Sequence, residues 1–378
     1  MKIVLVSPFS VEANQIAGGV AAVSQYLAEA LIELGHDVSI IAPGKSFAQR
    51  ETRGSLQIIW GGIPKLPGFL VYANQQRKQI FSLLDDIRPD VVHFEGSFGW
   101  SIHCSYPYVV TIHGIAEKDA AFGGNFLKCF IASKVIKISE NKGRKIAKQV
   151  ISISPYATEL LKEYLKGDIH HIDNPIDYAL FAYPSSATKR QDKLVCAGVV
   201  GERKNTLGVI NSFAKLKPFY PAAKLTVCGV ASNENYLQEC RKLTSDLGLN
   251  DAVVFTGNLS REKLYKELSS ATALIMMSKQ ETAPMAIAEA MALGLPCIAP
   301  SEFGIPYMIE EKVNGWFISE TTADEKWQEI ATSLQGENWQ RLSESAQKSA
   351  LRFHPQHVAK ATVTVYDLAI KGQCLSEK

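Results

Sequence analysis

The chain has 378 residues, 46% of them hydrophobic and 21% charged, which is the balance of an ordinary globular protein and not of a disordered or fibrous one. Its 40 Lys and Arg stand against 38 Asp and Glu, and a net charge of +2 is too small to suggest a nucleic-acid binder. The length exceeds what one hydrophobic core usually supports, so two domains are expected.

Seven cysteines are scattered without a C-x-x-C pair, and several sit in apolar runs such as "KLVCAGVV", where a thiol packs as a small hydrophobe. An odd, unpaired set points to a reducing compartment. The opening "MKIVLVSPFS" has four apolar residues before Ser7, too few for a signal-peptide core, and reads as a first strand. No apolar run approaches the roughly 20 residues of a membrane helix. A cytoplasmic location is therefore expected.

Short apolar runs then alternate with amphipathic segments. "KIVLVSP" precedes "GGVAAVSQYLAEALIELGH", whose Val20, Val23, Leu27, Ala30, Leu31 and Leu34 repeat at helical spacing. "DVSIIAP", "DVVHFEG", "YVVTIHG" and "QVISISP" follow as β-branched runs closed by Gly, Pro or Ser, the pattern of buried parallel strands. The alternation breaks at the polar stretch 173–193 and resumes with "LVCAGVV", "KLTVCGV", "AVVFTGN", "TALIMMS" and "LPCIAPS". The reading is two α/β domains with right-handed crossovers. They are placed at 1–180 and 190–357, with a helical tail over 358–378.

The stretch "QETAPMAIAEAMALGLPCIA" sets Glu281 in the loop before a helix and Glu289 in its second turn. Thr282 is expected to cap that helix, Pro284 to lie in its first turn, and Gly294 to end it. Free amides at the helix start favour an anion, and two carboxylates accept hydrogen bonds from hydroxyls. A phosphorylated, hydroxyl-rich ligand such as a nucleotide sugar would use all three features, whereas the bland alternative is a loop acid and a solvated helix residue. "GVVGERKNTLGVINSF" places Arg203 and Lys204 at the end of a strand, where two cations would neutralise a diphosphate without a metal. The alternative there is an exposed basic turn.

Gly18 and Gly19 directly precede the first helix and permit close approach of a phosphate or sugar, or simply a tight helix entry. They form no G-x-G-x-x-G, and the second strand lacks an acid at its end, which counts against a nicotinamide enzyme. His113 ends a buried strand at the functional edge of the sheet, as a sugar contact, a proton-transfer group or a structural histidine; His93 sits similarly. No D-x-D, H-E-x-x-H, Walker loop or G-x-S-x-G occurs, so metal and acyl-enzyme chemistry lack sequence support. No metal or other cofactor is expected. In 128–149, seven Lys or Arg against one Glu are interleaved with Phe130, Ile131, Val135 and Ile146. That face either is simply solvated or rests peripherally on anionic lipid at the inner face of the membrane.

Together these stretches resemble the retaining glycosyltransferases of the GT-B fold, family 4 (glycosyl transferases group 1), over nearly the whole chain. The specific part is the glutamate, seven residues, glutamate spacing of Glu281 and Glu289, supported by "GGV", "TIHG", "ISISPYATELL" and the lysine of "GERKN". The resemblance implies two Rossmann-like domains facing across a cleft, with the final helix returning to the first. It also implies transfer of a sugar from a nucleotide-sugar donor to a glycan or lipid-linked acceptor, in cell-surface polysaccharide synthesis. By the same resemblance Glu289 holds the nucleotide ribose, and Glu281 and His113 face the donor sugar. Lys204 then holds the diphosphate, with Arg203 and backbone amides near Gly19, Ala283 and Met285. The chain departs from the family pattern at Val199, where an arginine is usual, at Asn205, at Tyr307, and at Asn174-Pro175-Ile176-Asp177. A GT-B nucleotide-sugar epimerase and a non-catalytic nucleotide-sugar-binding homologue remain alternatives.

Overall fold

A computed structural model of the chain describes residues 1–9, 18–45, 49–62, 69–115, 126–183 and 192–376. The chain divides into two compact units, Met1–Ile176 with Phe353–Lys378, and Asp177–Arg352. The division falls between Ile176 and Asp177 for a visible reason. Ile176 N–H donates to Phe353 O at 3.1 Å within the first unit. Asp177 Oδ2 accepts from Tyr265 Oη at 2.8 Å and Arg261 Nη1 at 3.1 Å within the second. Residues 184–191 of the polar stretch expected to separate the domains lie outside those described.

The first unit carries an eight-stranded sheet: β1 (Lys2–Val6), β2 (Asp37–Lys45), β3 (Gln49–Arg53), β4 (Leu56–Gly62), β5 (Val91–Glu95), β6 (Tyr108–Ile112), β7 (Gln149–Ser152) and β8 (Asp168–His171). Its order is β3-β4-β2-β1-β5-β6-β7-β8, parallel except for β3 against β4. β3, "QRETR", has no apolar alternation because it is a mostly exposed edge strand, and the sequence reading misses it. Apolar residues fill both faces. Ile80, Leu84, Phe94 and Phe98 pack on one; Leu27, Leu31, Val358, Val365 and Tyr366 pack on the other. The helix Pro355–Ser376 thus belongs to the first unit's core.

Successive side chains of a strand point to opposite faces, so Val91, His93 and Glu95 share a face, as do Val109, Thr111 and His113. β5 and β6 pair in parallel with Glu95 opposite Thr111. This is the face covered by Tyr366.

The second unit holds six parallel strands: β9 (Lys193–Ala197), β10 (Lys224–Cys228), β11 (Val253–Gly257), β12 (Ala273–Ile275), β13 (Cys297–Ala299) and β14 (Gly315–Phe317). They lie in the order β11-β10-β9-β12-β13-β14. The chain winds outward from β9 to β11 and then crosses back to β12, so the strand order reverses between β9 and β12. Ligands of open α/β sheets bind outside the carboxyl ends of the strands at such a point. Here the backbone is packed against itself. A Cβ on Gly229, at φ 148°, would lie 1.9 Å from Gly198 O, and Gly198 N–H donates to Cys228 O at 2.9 Å. Only glycine permits that approach. Gly229→Ala is expected to lower stability by about 2–4 kcal/mol, measured as a lower urea midpoint for the second unit's transition.

Candidate active site

The helix Met285–Ala292 begins later than expected. Pro284, not Thr282, is the N-cap residue, at φ −65° and ψ 116°, and no side chain caps the helix. A proline disfavours helical geometry in the residue before it, so the helix cannot extend back through Ala283 to a Thr282 cap. The other end behaves as expected. Gly294, at φ 77°, follows the C-cap, Leu295 N–H donates to Ala290 O and Gly294 N–H to Met291 O, each at 2.9 Å, which is a Schellman closure. The first-turn amides therefore face the loop of Glu281 and Ala283 without a competing side chain.

Glu281 is buried, at 7% exposure, and its neutraliser is Lys204, whose Nζ donates to Oε1 at 2.5 Å. Arg203 Nη1 lies 3.7 Å from the same oxygen and donates to Gln280 O at 3.2 Å. The backbone fixes this junction: Lys279 N–H donates to Arg203 O at 2.8 Å and Gly304 N–H to Glu281 O at 3.0 Å. Lys204 reaches across Gly198, where a Cβ would sit 3.4 Å from its Cε. Asn205 then takes the left-handed conformation, φ 50°, and caps the following helix by accepting from Gly208 N–H at 3.2 Å.

Glu289 lies on the same helix. The residue is half-buried, but its carboxyl is enclosed by protein. Burial and the nearby Asp177 push that carboxyl up to about 7, with Arg261 and Lys204 opposing. The second unit therefore gathers Arg203, Lys204, Glu281, Ala283, Met285 and Glu289. Asp177 and Arg261 join them, two residues that sequence reasoning did not assign; Asp177 was noted only as a departure in the interdomain motif.

In the first unit, Gly18 (φ 90°) admits the chain to the helix that starts at Gly19. A Cβ on Gly96 would lie 3.9 Å from Val20 and 3.8 Å from His113, so that helix start and His113 are neighbours. His113 Nε2 makes a short hydrogen bond to Glu95 Oε2. His93 is sealed in, with Nδ1 on Tyr366 Oη at 2.8 Å and Nε2 on Thr111 Oγ1 at 2.6 Å. It is a structural histidine. Glu95, unremarked in "DVVHFEG", is the residue bonded to His113, and strand alternation is the signal that could have found it.

The model of the family described as Glycosyltransferase Family 4 matches residues 17–180, and that of Glycosyl transferases group 1 matches residues 184–349. An uncharacterized glycosyltransferase of Methanocaldococcus jannaschii is 23% identical over 94% of this chain and 96% of its own length. A GDP-mannose-dependent alpha-mannosyltransferase of Corynebacterium glutamicum is 25% identical over 74% of this chain and 68% of that protein. Among solved structures, the sucrose-phosphate synthase of Thermosynechococcus elongatus superposes with a TM-score of 0.79 at 18% identity, over 98% of this chain and 99% of that one. Anabaena HepE, solved in complex with UDP and glucose, gives 0.70 at 16% identity, over 96% and 98%. The fold is GT-B, and the chain belongs to the group 1, family 4 glycosyltransferases.

A carboxyl that keeps its proton up to about pH 7 when folded, against an ordinary value of 4.5, binds that proton more tightly in the folded than in the unfolded chain. Glu289 thus costs stability progressively as pH rises from 4.5 through about 7. Glu289→Gln is expected to flatten this limb and to be more stable than the parent at pH 8, by on the order of 1–3 kcal/mol in chemical denaturation.

Proposed function

We propose that the chain transfers a sugar, with retention of anomeric configuration and without a metal, from a nucleotide-sugar donor to a glycan or lipid-linked saccharide in polysaccharide synthesis. The observation that carries the reading is the Lys204–Glu281 pair at the free amides of the helix Met285–Ala292, with Glu289 one turn further along. A diphosphate competes with Glu281 for Lys204 and takes the amides near Ala283 and Met285, with Arg203 adding charge. Released from Lys204, Glu281 accepts hydroxyls of the sugar. Glu289 accepts the ribose hydroxyls, and because burial raises its carboxyl to about 7, binding as the carboxylate releases the proton from the fraction still protonated near neutral pH. UDP or UDP-glucose in the HepE structures supports a donor of this class.

In the transfer step the bond from the anomeric carbon to the diphosphate oxygen breaks and the acceptor oxygen bonds that carbon. The acceptor's proton passes to the departing diphosphate. Negative charge grows on the diphosphate, and a fixed cation with oriented amides stabilises that growth. For the first unit the family resemblance supports Gly19 as a phosphate contact and His113 as a sugar contact.

A thermal-shift panel of UDP-, GDP-, ADP- and dTDP-sugars tests this. One nucleotide class is expected to raise the midpoint equally with and without EDTA. Lys204→Ala is expected to reduce turnover by about 10²–10³-fold, and Glu289→Ala to act mainly on donor affinity. No shift with any nucleotide sugar, or parent-like turnover in both variants, defeats the assignment. Proton NMR of the product's anomeric configuration decides retention.

The helix Phe126–Ile146 supports a peripheral membrane contact. Ile138 is 73% exposed, and the exposed Lys134, Lys137, Lys142 and Lys145 surround it on the helix surface. Arg144 is excluded from this face, being buried against Phe98 and bonded to Asn141. Phe130 and Ile131 lie in 126–132, whose side chains are outside those described. Among the described residues no helix is long and apolar enough to cross a membrane. Co-sedimentation with phosphatidylglycerol vesicles at low salt is expected and should weaken as salt rises. Failure to sediment in low salt removes the membrane contact.

A further inference from the structure

We propose that Glu95 is a positioning residue for His113: it holds the imidazole by its Nε2 proton and places a negative charge beside the ring. The proposal rests on the reading above that His113 faces the donor sugar.

The argument starts from burial. β5 is buried at all five positions, and Glu95 is 1% exposed, so the carboxylate reaches no substrate itself. A buried charge persists only with partners. Glu95 Oε2 has one, the short bond to His113 Nε2. Its Oε1 has no hydrogen-bond partner and lies 3.6 Å from His93 Nδ1. Burial works to raise the Glu95 carboxyl, but the imidazoles of His93 and His113 outweigh it and hold the group below the usual carboxylate range.

The other groups facing Glu95 are not rivals for the role. His93, from the same strand, spends both ring nitrogens on the hydroxyls of Tyr366 and Thr111, and burial pushes it towards the neutral form. Tyr366, from the helix Pro355–Ser376, is pushed well above the usual phenol range by burial and by Glu95, so it stays neutral. Asp173 and Asn174 line the same void, whose volume is about 10 Å³. The Thr111 hydroxyl also helps to hold the carboxyl down but carries no charge, so among the described residues His113 is the ionisable group bonded to the carboxylate. His113 keeps 6% side-chain exposure, against 1% for Glu95, and its Nε2 is committed to the carboxylate. Glu95 therefore selects the ring's proton and fixes its plane, leaving Nδ1 for substrate, the logic of a carboxylate behind a histidine in a catalytic triad.

Glu95→Gln removes the charge and retains an oxygen that accepts from Nε2–H; Glu95→Ala removes both. In the full chain, with nucleoside diphosphate release from the donor that the panel identifies, or otherwise UDP release from UDP-glucose, Glu95→Gln is expected to lower kcat by about 10-fold with little change in KM. The alkaline limb of its pH–rate profile should move to lower pH. Glu95→Ala should lose more, and neither change should matter further in a His113→Asn background. NMR of ¹⁵N-histidine-labelled protein reads the pair without activity. A strongly downfield His113 Nε2–H signal is expected in the parent and is lost in Glu95→Ala. A Glu95→Gln profile that superimposes on the parent's, an undiminished loss in the His113→Asn background, or an unchanged Nε2–H signal in Glu95→Ala overturns the proposal. If Glu95→Gln does not fold, Glu95→Asp, which keeps the charge at shorter reach, is expected to retain the parent's pH profile at reduced kcat, and a displaced profile overturns the proposal. If His113→Asn turns over donor like the parent while the signal still depends on Glu95, the positioning stands and the donor-side role of His113 is what fails.

Discussion

A buried carboxylate needs a cation, and in the second unit Glu281 finds Lys204 at 2.5 Å. Much of the local architecture serves that contact. Glycines end β9 and β10 so that their backbones meet, the lysine stem passes over one of them, and Asn205 turns the chain into a helix directly afterwards. On the other side, Gly304 and Lys279 amides hold the Glu281 loop against Arg203. The largely apolar helix Met285–Ala292 follows without a capping side chain, because Pro284 holds the cap position. Its uncapped amides are what make the loop a place for an anion.

The first unit solves a related problem differently. A fully buried strand carries two ionisable groups, His93 and Glu95, on one face. Burial pushes His93 towards the neutral form and hydroxyls from a neighbouring strand and the last helix satisfy its ring, while the carboxylate is paid for by a histidine at the end of the next strand. Tyr366 therefore ties the end of the chain to the polar interior of the sheet, and the last helix is part of the site's support as well as of the core.

Strands and the two-unit division were legible because buried parallel strands leave β-branched runs punctuated by Gly, Pro and Ser. Gln49–Arg53, Asp168–His171 and Gly315–Phe317 were not, since the first two are largely polar and the third is too short to show a period, and Leu56–Gly62 went unread although "LQIIWGG" is apolar. The acids of the second unit were legible because Glu281 and Glu289 bracket a helix whose ends carry recognisable residues. The helix start was misread by two residues, since proline geometry overrides the preference of threonine for the cap. Asp177, Arg261 and Glu95 stayed hidden for one reason: each acquires its meaning from a residue distant in sequence. Asp177 is 84 residues from Arg261, and Glu95 is 18 from His113.

The Lys204–Glu281 contact also has a consequence for the end of a catalytic cycle. A nucleoside diphosphate left behind after sugar transfer would be held by the same lysine and amides that drew it in, and a tightly held product throttles an enzyme. Glu281 is tethered beside that lysine at high local concentration and has lost its sugar partner once the sugar has moved. Under the proposed function it would then act as an intramolecular competitor, reclaiming the ammonium and loosening the diphosphate. On the proposed reading, one carboxylate both greets the sugar and helps to clear the site.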